Sequence, residues 1–359
     1  MNKKLSLFPM TRNQCAIARF SSLLQGYTLA HCLTPGFKRL DNVDTNRLDG
    51  GEPTGIMLSS FDSDKLIQSD ILFVDYDERV RDLTVYQDVI SSVRDMGKEV
   101  VLSDLLTRML SPRQEAMVTL TQTHILETPE TDTMYDIDVP VITILTQGRH
   151  ADQFATELAL RKYLLDTGYE ISHISSLEYG RFFGLSPIPA SLYEPKDAYE
   201  KTVGFNHYVK SLLDRENPEL MIMSVPGAVA KYSNRQLQGL GILPTIMCGA
   251  LRSDAVVFCM YQANYDIRFF DMVHNLTQYK FDCPASFFSV ANVMARPDIN
   301  TSGDTLAYVN LDSDFVLNSI RDDMEHGDYI LYNALNSESA KAAGMAIQRA
   351  LTDNADSMH

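Results

Sequence analysis

The stretch that most constrains the fold is VITILTQGRHADQFATELALRKYLLDTGYEI, residues 141–171. An apolar run passes into a polar loop, and the loop opens a helix. Phe154, Ala155, Leu158 and Leu165 fall on one stripe of that helix, flanked by Leu160 and Leu164, and Gly168 stops it before YEISHIS begins a second strand. Strands that are apolar on both faces and joined through helices belong to a parallel sheet, since parallel neighbours are reached only by a long crossover. The alternation recurs along the chain. LSLFPM (5–10) leads to a helix capped by Thr11 or Asn13 and running to about Gln25, followed by YTLAHCL (27–33). ILFVDY (71–76), a helix stopped at Gly97, and EVVLSD (99–104) continue the pattern. Later come PELMIMSVPG (218–227), AVVFCMY (255–261) and ASFFSVANV (285–293), with helices near 195–215 and 266–280. After ARPDINTSGD, TLAYVNL and DYILYN read as strands, each followed by a helix.

A chain of 359 residues is too long for one ordinary core. The polar, turn-rich residues 34–55 read as loop, and 121–140 as a linker. The expected architecture is α/β: a Rossmann-like N-terminal domain over residues 1–125, then a doubly wound P-loop-like domain over 138–295. A small acidic α/β appendage over 300–359 completes it. The first strand-to-helix turn, FPMTRNQC, has no glycine to let a backbone approach a pyrophosphate, so the Rossmann-like topology is expected without NAD.

Composition is globular, 45 % hydrophobic and 22 % charged. No apolar run is long enough to span a membrane. In MNKKLSLFPMTR, Pro9 and Arg12 cut the apolar run too short for a signal peptide, so a cytoplasmic location is expected. The net charge of −16 opposes nucleic-acid binding. From Asp298 onward eleven acidic residues face only Arg321, Lys341 and Arg349, so this segment carries half of that charge, either as a solvated surface or as a face for a basic partner. The five cysteines form no pair at zinc spacing and read as buried small hydrophobes; no metal is expected.

A strand, a loop and a helix start are where a phosphate-binding loop would sit, with a lysine for the β and γ phosphates and a Ser or Thr for magnesium. The loop here offers Gln147, Gly148, Arg149, His150, Ala151, Asp152 and Gln153 instead, a degenerate Walker A at best, and Thr156 lies far into the helix. The strand PELMIMSVPG ends in Ser224, Val225, Pro226 and Gly227, without a carboxylate to orient magnesium. ATP or GTP as cofactor is therefore disfavoured on two counts, although a helix start with Arg149 and His150 beside it suits some other anion. The candidate ligand-binding set is Gln147, Gly148, Arg149, His150, Asp152, Ser224, Pro226 and Gly227; the alternative is a polar loop that only caps its helix. A second candidate loop, LDGGEPTG, sets Asp49 and Glu52 around Gly50 and Gly51, as a general acid/base pair or as plain turn chemistry. His207 in FNHYV is a lone histidine.

The wording LDGGEPTGI, GRHADQFATELALRKYLLDTGYEISHISSLEYGRFFG, NPELMIMSVPGA and LDSDFVL resembles the peptide-maturation-system proteins of clostridial natural-product cassettes, over nearly the whole chain. The resemblance implies an accessory protein of ribosomal-peptide maturation that binds a precursor peptide or a partner modifying enzyme through a cleft between two α/β domains. It brings no assigned catalytic residues. The architecture is also similar to the Rossmann-like plus P-loop-like family that includes N-acyl-glutamate racemase-type proteins, whose loop Gly-Lys pair and strand-end acid are both absent here. The alternatives are a divergent nucleotide- or anion-binding ligase or isomerase of the same pathway, with Arg149 in place of the lysine, and a structural subunit; a homo-oligomer is compatible with all three.

Overall fold

The computed structural model describes residues 2–36, 39–110, 133–233, 236, 237, 239–298, 305–322 and 325–357. Most of the expected linker lies outside them. The described residues form two compact α/β units. The first holds 2–49, 53–110 and 178–184; the second holds 50–52, 133–177 and 185–357.

In the first unit, strands β1 (Lys3–Phe8), β2 (Tyr27–Thr34), β3 (Leu58–Ser60), β4 (Ile71–Val74) and β5 (Glu99–Leu102) make one parallel sheet in the order β3-β2-β1-β4-β5. The order reverses between β1 and β4, the Rossmann-like switch point. Helices α1 (Cys15–Arg19), α2 (Asn46–Asp49), α3 (Ser63–Ile67), α4 (Leu83–Asp95) and α5 (Asp104–Met109) connect or follow the strands. Asp62, Asp82 and Ser103 cap α3, α4 and α5 by accepting from backbone N–H groups two or three residues on. Phe8, Leu33, Leu72, Val74, Tyr86 and Leu106 pack among the buried core. Two sequence expectations need correction. The first helix stops at Arg19 instead of reaching Gln25: Phe20 leaves helical geometry, and the serines that follow form only a 3-10 turn at Ser21–Leu23. The segment expected to be all loop contains α2.

In the second unit, β6 (Val141–Thr146), β7 (Ile171–Ser175), β8 (Ser186–Pro187), β9 (Leu220–Ala228), β10 (Ala255–Met260) and β11 (Ala285–Val290) form a parallel sheet. Two more strands, β12 (Val293–Pro297) and β13 (Leu306–Asn310), pair antiparallel apart from it. The seventh strand, β14 (Ile330–Tyr332), completes the order β14-β11-β10-β6-β9-β7-β8. Residues 305–357 thus extend the same unit, with β14 on the sheet edge beside β11. Strand β6 lies mid-sheet, with β9 and β10 on its two sides. The helices are α6 (Gln153–Asp166), α7 (Ala198–Glu216), α8 (Leu243–Ala250), α9 (Ile267–Phe281), α10 (Ser313–Asp322) and α11 (Ser337–Ser357).

Helix α6 is buried almost all round, because α11 covers it: Tyr163 donates to Gln348 at 2.6 Å. Its apolar stripe runs through Leu164, fully buried, and not through Leu165, which is exposed. The run expected as one strand over 285–293 breaks after Val290, where the Asn292 N–H is drawn to Asp152. Among the described residues no helix is long and apolar enough to cross a membrane.

Candidate functional site

At the carboxyl end of β6 the chain must turn into α6 across the middle of the sheet, where ligands sit in folds of this kind. It does so with His150 at φ 62° and Asp152 at φ 51°. Left-handed backbone is uncommon for residues with a Cβ and is held only where surroundings over-determine it. Those surroundings are visible. Gln147 N–H donates to the Cys259 carbonyl at 2.8 Å, and its Oε1 accepts from Tyr261 N–H at 2.9 Å and from the Tyr265 hydroxyl at 3.2 Å. Gly148 N–H donates to Thr146 Oγ1 at 3.1 Å. The Tyr261 hydroxyl donates to the Arg149 carbonyl at 2.6 Å. Burial pushes both phenols up, Tyr265 to about 12, so both are neutral donors at physiological pH.

The helix start itself is occupied by protein groups. Asp152 accepts the Asn292 N–H at 2.8 Å, and Gln153 Nε2 donates to the carbonyls of Val225 at 2.8 Å and Ile144 at 3.2 Å. Thr156 bonds the Asp152 carbonyl at the start of its own helix and Ser289 of β11 across the core. Asn292 continues the network to Ser313 at 2.8 Å and to Asn333 at 2.7 Å. Arg149 is exposed, and His150 is half-buried with its ring 4.8 Å from that of Tyr308.

The second stretch, 224–227, lies beside the loop, because Ala228 pairs with Thr146 across an irregularity in the β6–β9 register. Ser224 is buried and donates to Ser176 at 3.1 Å. Pro226 is half-buried. Gly227 has φ +82°, and a Cβ there would lie 2.6 Å from the Gly239 carbonyl oxygen. The structure therefore brings Gln147–Asp152 and Ser224–Gly227 together. Asp152 and Gln153 occupy the start of α6, Thr156 bonds Ser289, and β9 ends without a carboxylate.

The second candidate loop divides. Asp49 accepts both oxygens' worth of hydrogen bonds from Arg19 at 2.9 Å within the first unit. Glu52, in the second unit, accepts from Asn336 at 2.8 Å and from the Ser337 N–H at 3.2 Å, holding the start of α11. Both carboxylates thus have structural partners of their own. Gly50 needs to be glycine because a Cβ would fall 1.8 Å from the Leu311 carbonyl oxygen. His207 contacts the Thr133 carbonyl at 2.9 Å. All five cysteines are buried, and burial drives their thiols up.

Sequence reasoning missed the tyrosines that brace the loop and the Asp152–Asn292–Asn333 network, whose members are scattered over residues 152 to 333. It also missed a buried set in which Glu157 accepts from Ser175 at 2.6 Å and meets His173 at 3.3 Å. Burial, opposed by Glu157, lowers the His173 pKa, and the set ties α6 to β7.

No protein-family model matches the chain, and no curated protein matches it. A solved DUF1611 family protein from Anabaena variabilis ATCC 29413 superposes with a TM-score of 0.59 at 9% identity, covering 98% of this chain and 100% of that one. That likeness is one of fold. A pseudomurein peptide ligase type C from Methanothermus fervidus matches with a TM-score of 0.27 at 11% identity, over 72% of this chain and 38% of its own, an overlap too slight to carry an argument.

Proposed function

We propose that the chain is a binding component of a peptide natural-product maturation system, and that the loop Gln147–Asp152 receives a carboxylate of a precursor peptide. The pathway rests on the resemblance in sequence wording. The site rests on one observation: the start of α6 is already filled by the Asp152 carboxylate and the Gln153 amide, while Arg149 projects from the same turn into solvent. A triphosphate brings several negative charges and needs a lysine and a metal beside the helix start. One exposed arginine offers a charged, two-pronged donor that suits a single carboxylate, while Asp152 in the same turn opposes a more highly charged group.

An enzymatic reading, a ligase or isomerase acting on an acyl or aminoacyl group, has one observation in its favour. Two left-handed residues in one loop are the kind of backbone strain that gathers at reactive sites. Calorimetric titration separates the two. The probes are a short glutamate-containing peptide, the same peptide with glutamine for glutamate, and ATP and GTP with and without magnesium. The binding reading expects the acidic peptide to bind, the glutamine peptide to bind about tenfold more weakly, and Arg149→Ala to remove that difference. Magnesium-dependent micromolar ATP binding that Arg149→Ala abolishes would overturn it in favour of the enzyme.

A further inference from the structure

Three neighbouring strands at the middle of the second unit's sheet, β9, β6 and β10, each deliver an aromatic residue past the carboxyl end, the end where such sheets receive ligands. His150 stands in the loop after β6, Tyr232 shortly past β9, and Tyr261 directly after β10; Tyr308 of β13 joins them. The rings follow one another, His150 to Tyr308 at 4.8 Å, Tyr308 to Tyr261 at 6.0 Å and Tyr261 to Tyr232 at 5.9 Å between centroids. A set of rings sealed in a core has no surface left to give. Here only Tyr261 is buried, His150, Tyr232 and Tyr308 are half-buried, and Arg149, in the same turn as His150, is exposed. Two of the phenols turn their polar ends to the protein: the Tyr261 hydroxyl donates to the Arg149 carbonyl at 2.6 Å, and the Tyr232 hydroxyl to the Ala295 carbonyl at 2.9 Å. Burial comes first among the causes that hold both phenols up, so neither is charged at neutral pH. What the set offers a ligand is therefore neutral ring surface beside one positive charge.

Resting on the reading of the Arg149 loop given above, we infer that the peptide it selects carries an aromatic residue next to the acidic one, and that this ring lies against Tyr232, Tyr308 and His150. Ring faces alone also attract a cation, but Arg149 on the same turn repels one. An aliphatic side chain gains burial only, whereas an aromatic one adds the offset or edge-on ring contacts that the protein's own pairs already make, at 68° for His150 with Tyr308 and 74° for Tyr261 with Tyr232. Arg149 and His150 are themselves consecutive, so the site presents charge and ring one residue apart, the spacing of an acidic residue and its aromatic neighbour in a peptide.

The chain contains no tryptophan, so the emission of a tryptophan peptide is read without background from the protein. The test is fluorescence titration of the full chain with two blocked tetrapeptides, one with tryptophan before glutamate and one with tryptophan after it, the flanks being alanine. Competition against the better of the two then compares its phenylalanine form with its cyclohexylalanine form, which keeps the carbon skeleton and loses the π face, and its glutamate form with its glutamine form. Adenosine monophosphate is the arm for a nucleobase. The expected result is a saturable emission change, with the phenylalanine peptide competing about fivefold better than the cyclohexylalanine one. Tyr232→Leu and Tyr308→Leu should each remove most of that advantage and leave the preference for glutamate over glutamine in place. The comparison of peptides uses the unaltered chain, so it stands whether or not either variant folds. Equal competition by the phenylalanine and cyclohexylalanine peptides, with the glutamate preference intact, overturns this inference and spares the reading of Arg149. Loss of the glutamate preference, or no saturable change from either tryptophan peptide, overturns both. Displacement of the peptides by adenosine monophosphate at lower concentration than by the phenylalanine peptide assigns the rings to a nucleobase and overturns the inference as well.

Discussion

At the scale of single residues, the letters that looked like turn chemistry turn out to be spacing constraints. Gly50 sits at φ +73° with the Leu311 carbonyl where its Cβ would be, and its own carbonyl accepts the Ser313 N–H at 2.8 Å. Gly50→Ala should lower the denaturation midpoint by about 2 kcal/mol or more of stability, read by chemical unfolding; a shift below about 0.5 kcal/mol would mean the backbone relaxes freely there. Glu178 gives a prediction with a sign. Its carboxyl ionises near 4.5 in the unfolded chain and near 8 when folded, so between those values the folded protein holds the extra proton. Its stabilising contribution is whole below about pH 4.5 and is lost as the pH rises towards 8. Glu178→Gln should flatten that part of a melting-temperature profile against pH. Neither residue could be read from the sequence alone. A glycine's need for room and a carboxylate's loss of water are set by neighbours far away in the chain, whereas the absence of a lysine or a strand-end acid is legible locally.

At the scale of elements, strand and helix positions were legible wherever a continuous apolar run met a glycine stop, as at Val141–Thr146 followed by Gln153–Asp166. They were illegible where side chains redirect the backbone, as at Asn292. Helix α11 shows how closely elements meet: a Cβ on Gly344 would lie 2.5 Å from the Tyr163 ring of α6. Gly344→Ala should therefore destabilise by roughly 1 to 3 kcal/mol despite the higher helix propensity of alanine. Tyr163→Leu in the same chain should recover part of the loss, and a double-mutant cycle by chemical unfolding measures the coupling. Additive single effects would show that α11 adjusts without meeting α6. The loop at the start of α6 gives a further test. Asp152→Ala leaves the Asn292 N–H without its acceptor and should cost about 1 to 3 kcal/mol, with the affinity of the loop for anions raised and not lowered.

At the scale of the whole molecule, the acidic segment after Asp298 is part of the second unit's framework. Strand β14 lies on the edge of its sheet, and Asn333 joins the network that reaches Asp152. Removing residues 298–359 should therefore abolish cooperative unfolding of the second unit, seen as loss of its transition in calorimetric melting, before any partner is added. A truncated chain that keeps a sharp transition would show that the segment is dispensable. The threading of the chain has a consequence for how the protein is made. The first unit is completed by Glu178–Gly184, with Phe182 accepting the Gln25 N–H and Tyr27 and Phe73 packing edge-on to its ring. A ribosome moving at 5–20 residues per second takes roughly 4 to 15 s to travel from the end of α5 to that segment. During those seconds the nascent first unit has its strands but not its closing aromatic residues. Any split of the gene into two pieces at the linker would leave the first piece permanently in that state.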